Sequence, residues 1–131
     1  MNPETLTITA SGAYLLIEFA GEFNVAAGKN VVDTMAAACA QYRHSRVLLD
    51  CRRMTGAMPV LDRFEVAEYG ASKRGQIGRM ALLNREDVLL PDNFVENVAV
   101  NRGMDMKIFT DFDEAEAWLT GAPAGGNAPG E

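Results

Sequence analysis

Hydrophobic positions along this chain switch between a period of two and a period near 3.6, and each switch marks the passage from strand to helix. Thr5 to Thr9 alternates, with Leu6 and Ile8 on one side and the threonines on the other, as in a half-buried strand. Ser11-Gly12 supplies a turn. Ala13 to Phe19 then carries Leu15, Ile17 and Phe19 on a single face, which predicts an antiparallel hairpin. Gly21-Glu22-Phe23-Asn24 closes that hairpin and opens a helix: Asn24 suits the N-cap, and Val31, Met35, Cys39 and Tyr42 recur at helical spacing to about Arg43.

Arg46 to Asp50 holds the unbroken run Val47-Leu48-Leu49, the mark of a central strand covered on both faces. Cys51 to Ala57 reads as a loop. Val60, Leu61, Phe64, Ala67 and Ala71 form the buried stripe of a second helix, with Asp62, Arg63, Glu65 and Glu68 on its polar side and Gly70 and Gly75 weakening its end. Arg79 to Asn84, with Met80, Leu82 and Leu83, is the next strand. A third helix begins at an Asn93/Glu96 capping pair, buries Phe94, Val95, Val98 and Ala99, and ends at Gly103. Met106 to Phe109 is the last strand. Thr110 with Asp113 caps a final helix carrying Phe112, Ala115, Trp118 and Leu119.

The order is ββαβαβαβα, which implies an α/β fold: a mostly parallel mixed sheet with right-handed crossovers and one antiparallel edge from the opening hairpin. Residues 1–120 are expected to form one domain, long enough to bury roughly two thirds of its unfolded surface. The Gly/Ala/Pro tail, 121–131, has almost nothing to bury and is expected to be disordered. No internal repeat is present.

Composition narrows the function by exclusion. A formal charge of −6 argues against a nucleic-acid partner, because phosphate-backbone binders carry a basic footprint. Apolar runs fall far short of the roughly 20 residues of a membrane span, and Met1-Asn2-Pro3-Glu4 lacks the basic start and apolar core of a secretory signal, so a cytoplasmic location is the default. Cys39 and Cys51 match neither a disulfide framework nor a metal spacing and read as free thiols. No Gly-rich phosphate cradle precedes a helix. No cofactor or metal is expected.

The order of elements, with Gly21-Glu22-Phe23-Asn24 in place of a G-E-L-D-like signature, resembles the STAS domains of anti-sigma-factor antagonists, the SpoIIAA-like family. Leu48-Leu49-Asp50 resembles that family's central strand and Phe94 to Phe109 its later helix and strand. Phe109-Thr110-Asp111 with Ala117-Trp118-Leu119 resembles the bacterial proteins that join it to the CRAL-TRIO-like group. The resemblance spans about Thr5 to Leu119 and implies a SpoIIAA-like fold of two or three layers and a non-enzymatic regulatory module that binds a protein partner. The CRAL-TRIO side implies the alternative, a carrier of a small or lipid-like ligand. Regulated antagonists of the family carry an Asp-Ser-x-Gly-like element before the second helix, whose serine is phosphorylated. Here the loop reads Cys51-Arg52-Arg53-Met54-Thr55-Gly56-Ala57, without serine or preceding aspartate, and Thr55 is the nearest hydroxyl.

Ligands of open α/β sheets gather beyond the C-terminal ends of the parallel strands. Those ends bring forward Asp50, Arg52, Arg53, Thr55, Asn84 and Arg85 as candidate partner or ligand contacts, with Thr110 beside them. The arginines suit a phosphate or carboxylate; the plainer reading is a solvated loop in which Asp50 pairs with an arginine. A phosphoryl group on Thr55 would gain charge-assisted bonds near Arg52 and Arg53, against the reading of a turn threonine. The same arginines could stabilise a Cys51 thiolate, against a buried structural thiol. His44, the one histidine, lies in a connection and lacks a nucleophile partner. Met54, Met58, Met80, Met104 and Met106 could line an adaptable pocket, although methionine is more commonly core filler. The hairpin's free edge permits a homodimer by strand pairing.

Overall fold

A computed structural model describes residues 5–56, 59–88 and 94–121. Its elements are β1 (Thr5–Ala10), β2 (Leu15–Glu22), α1 (Val25–Tyr42), β3 (Arg46–Thr55), α2 (Val60–Ala71), β4 (Arg79–Leu83), α3 (Phe94–Asn101), β5 (Asp105–Phe109) and α4 (Phe112–Thr120), with a short 3-10 turn at Glu86–Val88. The predicted ββαβαβαβα order is therefore realised. The strands lie in the order β1-β2-β3-β4-β5, antiparallel at β1/β2 and parallel from there on.

That order dictates the layers. Each parallel step moves to the next strand in the same direction, so right-handed crossovers put α1, α2 and α3 together on one face. The helix after the last strand, α4, covers the other. Two cores result: Leu15, Ile17, Phe19, Val47, Leu49 and Cys51 face the three-helix side, and Tyr14, Leu48, Ala81 and Leu83 meet Ala115 and Leu119 of α4. The unbroken Val47-Leu48-Leu49 is explained, because β3 sits in the middle with both faces buried.

Local signals hold at several junctions. Asn24 Oδ1 accepts from the Ala27 N–H at 2.8 Å, and Ser11 closes the hairpin loop by donating its hydroxyl to the Tyr14 carbonyl at 2.8 Å. Gly103 takes a positive φ of 91° after α3. Others differ. Asp111, not Thr110, caps α4, accepting from the Glu114 N–H, because Asp111 is the extended residue immediately before the first helical turn. Glu96 Oε1 accepts from the Ile108 N–H at 2.9 Å and so serves β5. Asn93, Met58 and the tail lie outside the described residues apart from Gly121. β1 is less buried than its alternation implies: Leu6 packs on the core, but Ile8 is 37% exposed on this outermost strand.

The largest departure is at β3. The stretch Cys51 to Thr55, expected to be a loop, continues the strand and pairs with β2 as far as Glu22↔Thr55. Between Glu18↔Asp50 and Ala20↔Arg53 the register shifts, leaving one extra residue on β3, a β-bulge. Cys51 and Met54, three residues apart, thus both enter the three-helix core while Arg52 and Arg53 are consecutive exposed positions.

Candidate functional site

The C-terminal ends of the parallel strands carry two separate arrangements on opposite faces of the sheet. Strand parity decides which residue joins which. Asp50 pairs with Leu83, which lies in the α4 core, so Asp50 belongs to the α4 face; Asn84, one residue on, points with Met80 and Leu82 into the three-helix side.

On the α4 face Asp50 is buried and held by Arg52. The guanidinium donates Nε to Oδ1 at 3.0 Å and Nη2 to Oδ2 at 2.9 Å, and the Arg52 N–H adds a third bond at 3.0 Å. Burial pushes the Asp50 carboxyl up, but the Arg52 hydrogen bonds and the charges of Arg52 and Arg53 together outweigh it and hold the group below the ordinary carboxylate value. Arg52 lies over the Phe112 ring, its guanidinium carbon 6.0 Å from the centroid. Arg85 reaches the same group, donating Nη1 to the Arg52 carbonyl at 3.3 Å and Nε to Asp87 at 3.2 Å. Arg53 stands 3.5 Å from Glu18. Each of the three arginines thus has a carboxylate beside it, and the cluster is a paired, nearly neutral rim.

Thr55 stands apart from this cluster. It is exposed at the end of β3, opposite Glu22, and its carbonyl accepts from the Phe23 N–H at 2.9 Å. The residue preceding α2 is Pro59, which makes no side-chain cap bond, so the helix N-terminus that would stabilise a phosphoryl group on Thr55 is four residues further on and Glu22 is across the ladder. Cys51 also departs from the reactive reading. It continues the inward row of Val47 and Leu49, away from Arg52 and Arg53, and burial with the nearby Asp50 charge pushes its thiol up to about 12. His44 donates Nε2 to the Ser11 carbonyl at 2.8 Å, pinning the α1–β3 connection to the hairpin loop at the opposite end of the sheet. Among the described residues, no group of acidic, histidine or cysteine side chains could hold a metal ion. No helix there is long and apolar enough to cross a membrane.

The three-helix face holds a chamber of about 120 Å³ between the sheet and α1, α2 and α3. Its wall is almost wholly carbon and sulfur: Val31, Met35, Leu49, Cys51, Met54, Met80, Met104 and Met106 contribute, with Phe23, Val66 and Phe94 around them. Four of the five methionines singled out from the sequence meet here. Among the described residues, two polar side chains touch the chamber. Asn84 is 5% exposed, accepts the Arg85 N–H on Oδ1 at 2.9 Å and directs Nδ2 to the Met54 sulfur at 3.7 Å. Arg63 donates Nη1 to the Val88 carbonyl at 2.6 Å, tying α2 to the turn after β4. Periodicity puts Arg63 on the polar side of α2; its long stem lets the side chain lie along the chamber while its head makes a hydrogen bond.

The helix over this chamber is lightly anchored. The residues of α2 that are fully buried are Ala67, Gly70 and Ala71, all small. Its first turn faces outward, with Leu61 80% and Val60 48% exposed, although both belong to the apolar stripe expected to be buried. The stripe is wider than the strip of core that α2 touches. Close approach of α1 and α2 occurs at Gly28, where a Cβ would meet Val66 methyl carbons at 2.7 and 2.9 Å.

The SpoIIAA-like family model matches residues 14–120. Among solved structures the chain is similar to an anti-sigma factor antagonist from Mycobacterium paratuberculosis, with a TM-score of 0.62 at 9% identity over 89% of this chain and 94% of that one. An uncharacterised protein with a SpoIIAA-like fold from Shewanella loihica gives a TM-score of 0.57 at 17% identity, covering 88% and 93% of the two chains. The anti-sigma factor antagonist SpoIIAA in its unphosphorylated form gives 0.51 at 14% identity, covering 86% and 94%. No curated protein sequence matches. At these identities the structural likeness speaks for the fold, and the family model, which spans more than half of the chain, for descent: the protein belongs to the SpoIIAA-like family.

Proposed function

We propose that this protein is a non-enzymatic regulatory module that docks a protein partner on the first turn of α2 and the strand-end rim. The exposed pair Val60 and Leu61 carries the reading. An exposed leucine alone is ordinary, but here two large apolar residues begin a helix whose buried residues are alanine and glycine, with Val66 and Tyr69 only partly covered. A small apolar centre with polar surroundings is the composition of an interface core and its rim. Arg52, Arg53, Arg85 and their carboxylate partners, at the C-terminal ends of the strands but on the α4 face, would form a separate polar part of the docking surface, and Thr55 lies at the end of β3. Two of the structural relatives are anti-sigma factor antagonists, which supports a partner-binding role.

The test is site-specific photocrosslinking in the source cells, with the crosslinker at position 61 and, as a control, at Glu114 on α4. A specific protein captured from position 61, whose purified form binds the wild type and loses at least about tenfold in affinity with Leu61→Asp, supports the reading; a central apolar contact is commonly worth that much. Equal capture from both positions, or unchanged binding by the variant, refutes it.

A second reading, a small-ligand carrier, is favoured by the apolar chamber under α2. An apolar hollow with a few placed polar groups is the usual form of a small-molecule site. The two readings use opposite surfaces of the same helix and do not compete.

A further inference from the structure

We propose that the chamber beneath α2 selects a small, uncharged, largely apolar molecule bearing one hydrogen-bond acceptor, which the Asn84 side-chain amide recognises. The inference rests on the carrier reading and specifies its cargo. Size sets the first limit. At about 120 Å³ the chamber is somewhat smaller than the roughly 150 Å³ apolar cavity that accepts benzene, so it fits one ring or a short branched chain and excludes a long acyl tail.

Charge sets the second. Among the described residues that line it there is no carboxylate or lysine, and the cationic side chain there, Arg63, is held at the Val88 carbonyl. An ion placed among Met35, Leu49, Met80 and Met106 would lose its hydration to carbon and sulfur atoms, a cation with no opposite charge to meet and an anion with only the guanidinium of Arg63 to offset it. Asn84 sets the third. The Arg85 N–H can only donate, which fixes Oδ1 toward the backbone and Nδ2 toward the chamber. There the amide meets the Met54 thioether at 3.7 Å, and sulfur is a weak acceptor. A deeply buried donor with so poor a partner gains more from a carbonyl or ether oxygen than an exposed one would, because no water competes for it. Strand parity places it: Asn84 ends the Met80, Leu82, Asn84 row that forms one wall.

The experiment compares three ring compounds of similar size by titration into isotope-labelled protein, following backbone amides and the Asn84 side-chain amide by NMR. Cyclopentanone carries an acceptor, methylenecyclopentane replaces the oxygen by carbon, and cyclopropanecarboxylate adds a charge. Because water hydrates the ketone better than the alkene, the readout is the ratio of their two affinities: it should fall about fivefold or more in Asn84→Leu, the worth of one hydrogen bond, while methylenecyclopentane still binds. In the wild type the ketone should move the Asn84 amide signal. Filling the chamber with Ala67→Leu should abolish binding of all three. An affinity ratio unchanged in Asn84→Leu, or an Asn84 amide signal that the ketone does not move, overturns the role of Asn84 and leaves the carrier reading standing. Tighter binding of the carboxylate overturns the neutral class. Failure of every probe to bind removes the carrier reading itself.

Discussion

Two glycines in helices, Gly28 of α1 and Gly70 of α2, should respond to alanine in opposite directions. Both lie in regular helix, where replacing glycine by alanine is worth about 1 kcal/mol from backbone entropy alone. At Gly70 the new Cβ would find Val32 Cγ2 at 3.7 Å, ordinary contact, so the gain should be kept. At Gly28 it would strike Val66 Cγ2 at 2.7 Å and Cγ1 at 2.9 Å, with Phe23 Cζ at 3.3 Å. Valine has one strongly preferred rotamer in a helix, and both of its methyls are in the way, so side-chain rotation gives little relief. Overpacking of this kind costs about 1–3 kcal/mol. The net for Gly28→Ala is then a loss of about 1 kcal/mol, and for Gly70→Ala a gain of about 0.5–1 kcal/mol. With a urea slope near 2 kcal/mol per molar, equilibrium unfolding should show midpoints about 0.5 M lower and about 0.3–0.5 M higher than wild type. The double variant Gly28→Ala/Val66→Ala should exceed the sum of its single changes by about 1 kcal/mol, since the clash is what couples them. Midpoints moving the same way, or no coupling to Val66, would refute the close packing of α1 on α2.

Asp50→Asn should lower stability by about 1–2 kcal/mol at neutral pH, the value of a charge-assisted pair discounted for the half-exposed Arg52. Because folding holds the Asp50 carboxyl below its ordinary value, its contribution is present above the unfolded value near 3.9 and disappears as pH falls through the folded one. Urea midpoints of variant and wild type should therefore converge as pH falls through the folded value, and a gap that persists once Asp50 is protonated would count against the pair. Cys51, with its thiol raised from 9.0 to about 12, should react with a thiol reagent at pH 8 roughly 10³-fold more slowly than a free thiol from ionisation alone, and more slowly again through burial. The measurement uses Cys39→Ser to isolate it; rapid stoichiometric reaction of the folded protein would contradict the burial of Cys51 in the three-helix core.

Much of the fold was legible because it is written in short-range periodicity. A strand's period of two and a helix's period of 3.6 can be read within a dozen residues, and Asn24, Ser11 and Gly103 mark ends through bonds or angles confined to one turn. Element order then fixed the layers through crossover handedness. The candidate site was only partly legible. Asp50, Arg52, Arg53, Thr55, Asn84 and Arg85 all lie toward the strand ends as expected, but one bulge and one step of parity distribute them over two faces. A bulge is a mismatch between paired strands, so nothing within Cys51 to Thr55 by itself records it. Arg63, Val66 and Gly28 joined the chamber wall or its roof without any signal beyond helical spacing.

By itself, then, the sequence determined the elements, their order, the fold they imply and the family resemblance, since these rest on local pattern and on short-range bonds. Only the tertiary structure decided that Asn84 faces a chamber while Asp50 faces α4, that Cys51 turns inward, and that Val60 and Leu61 remain outside. Those outcomes depend on cross-strand register and on how closely α2 settles over the sheet, which many distant residues set together.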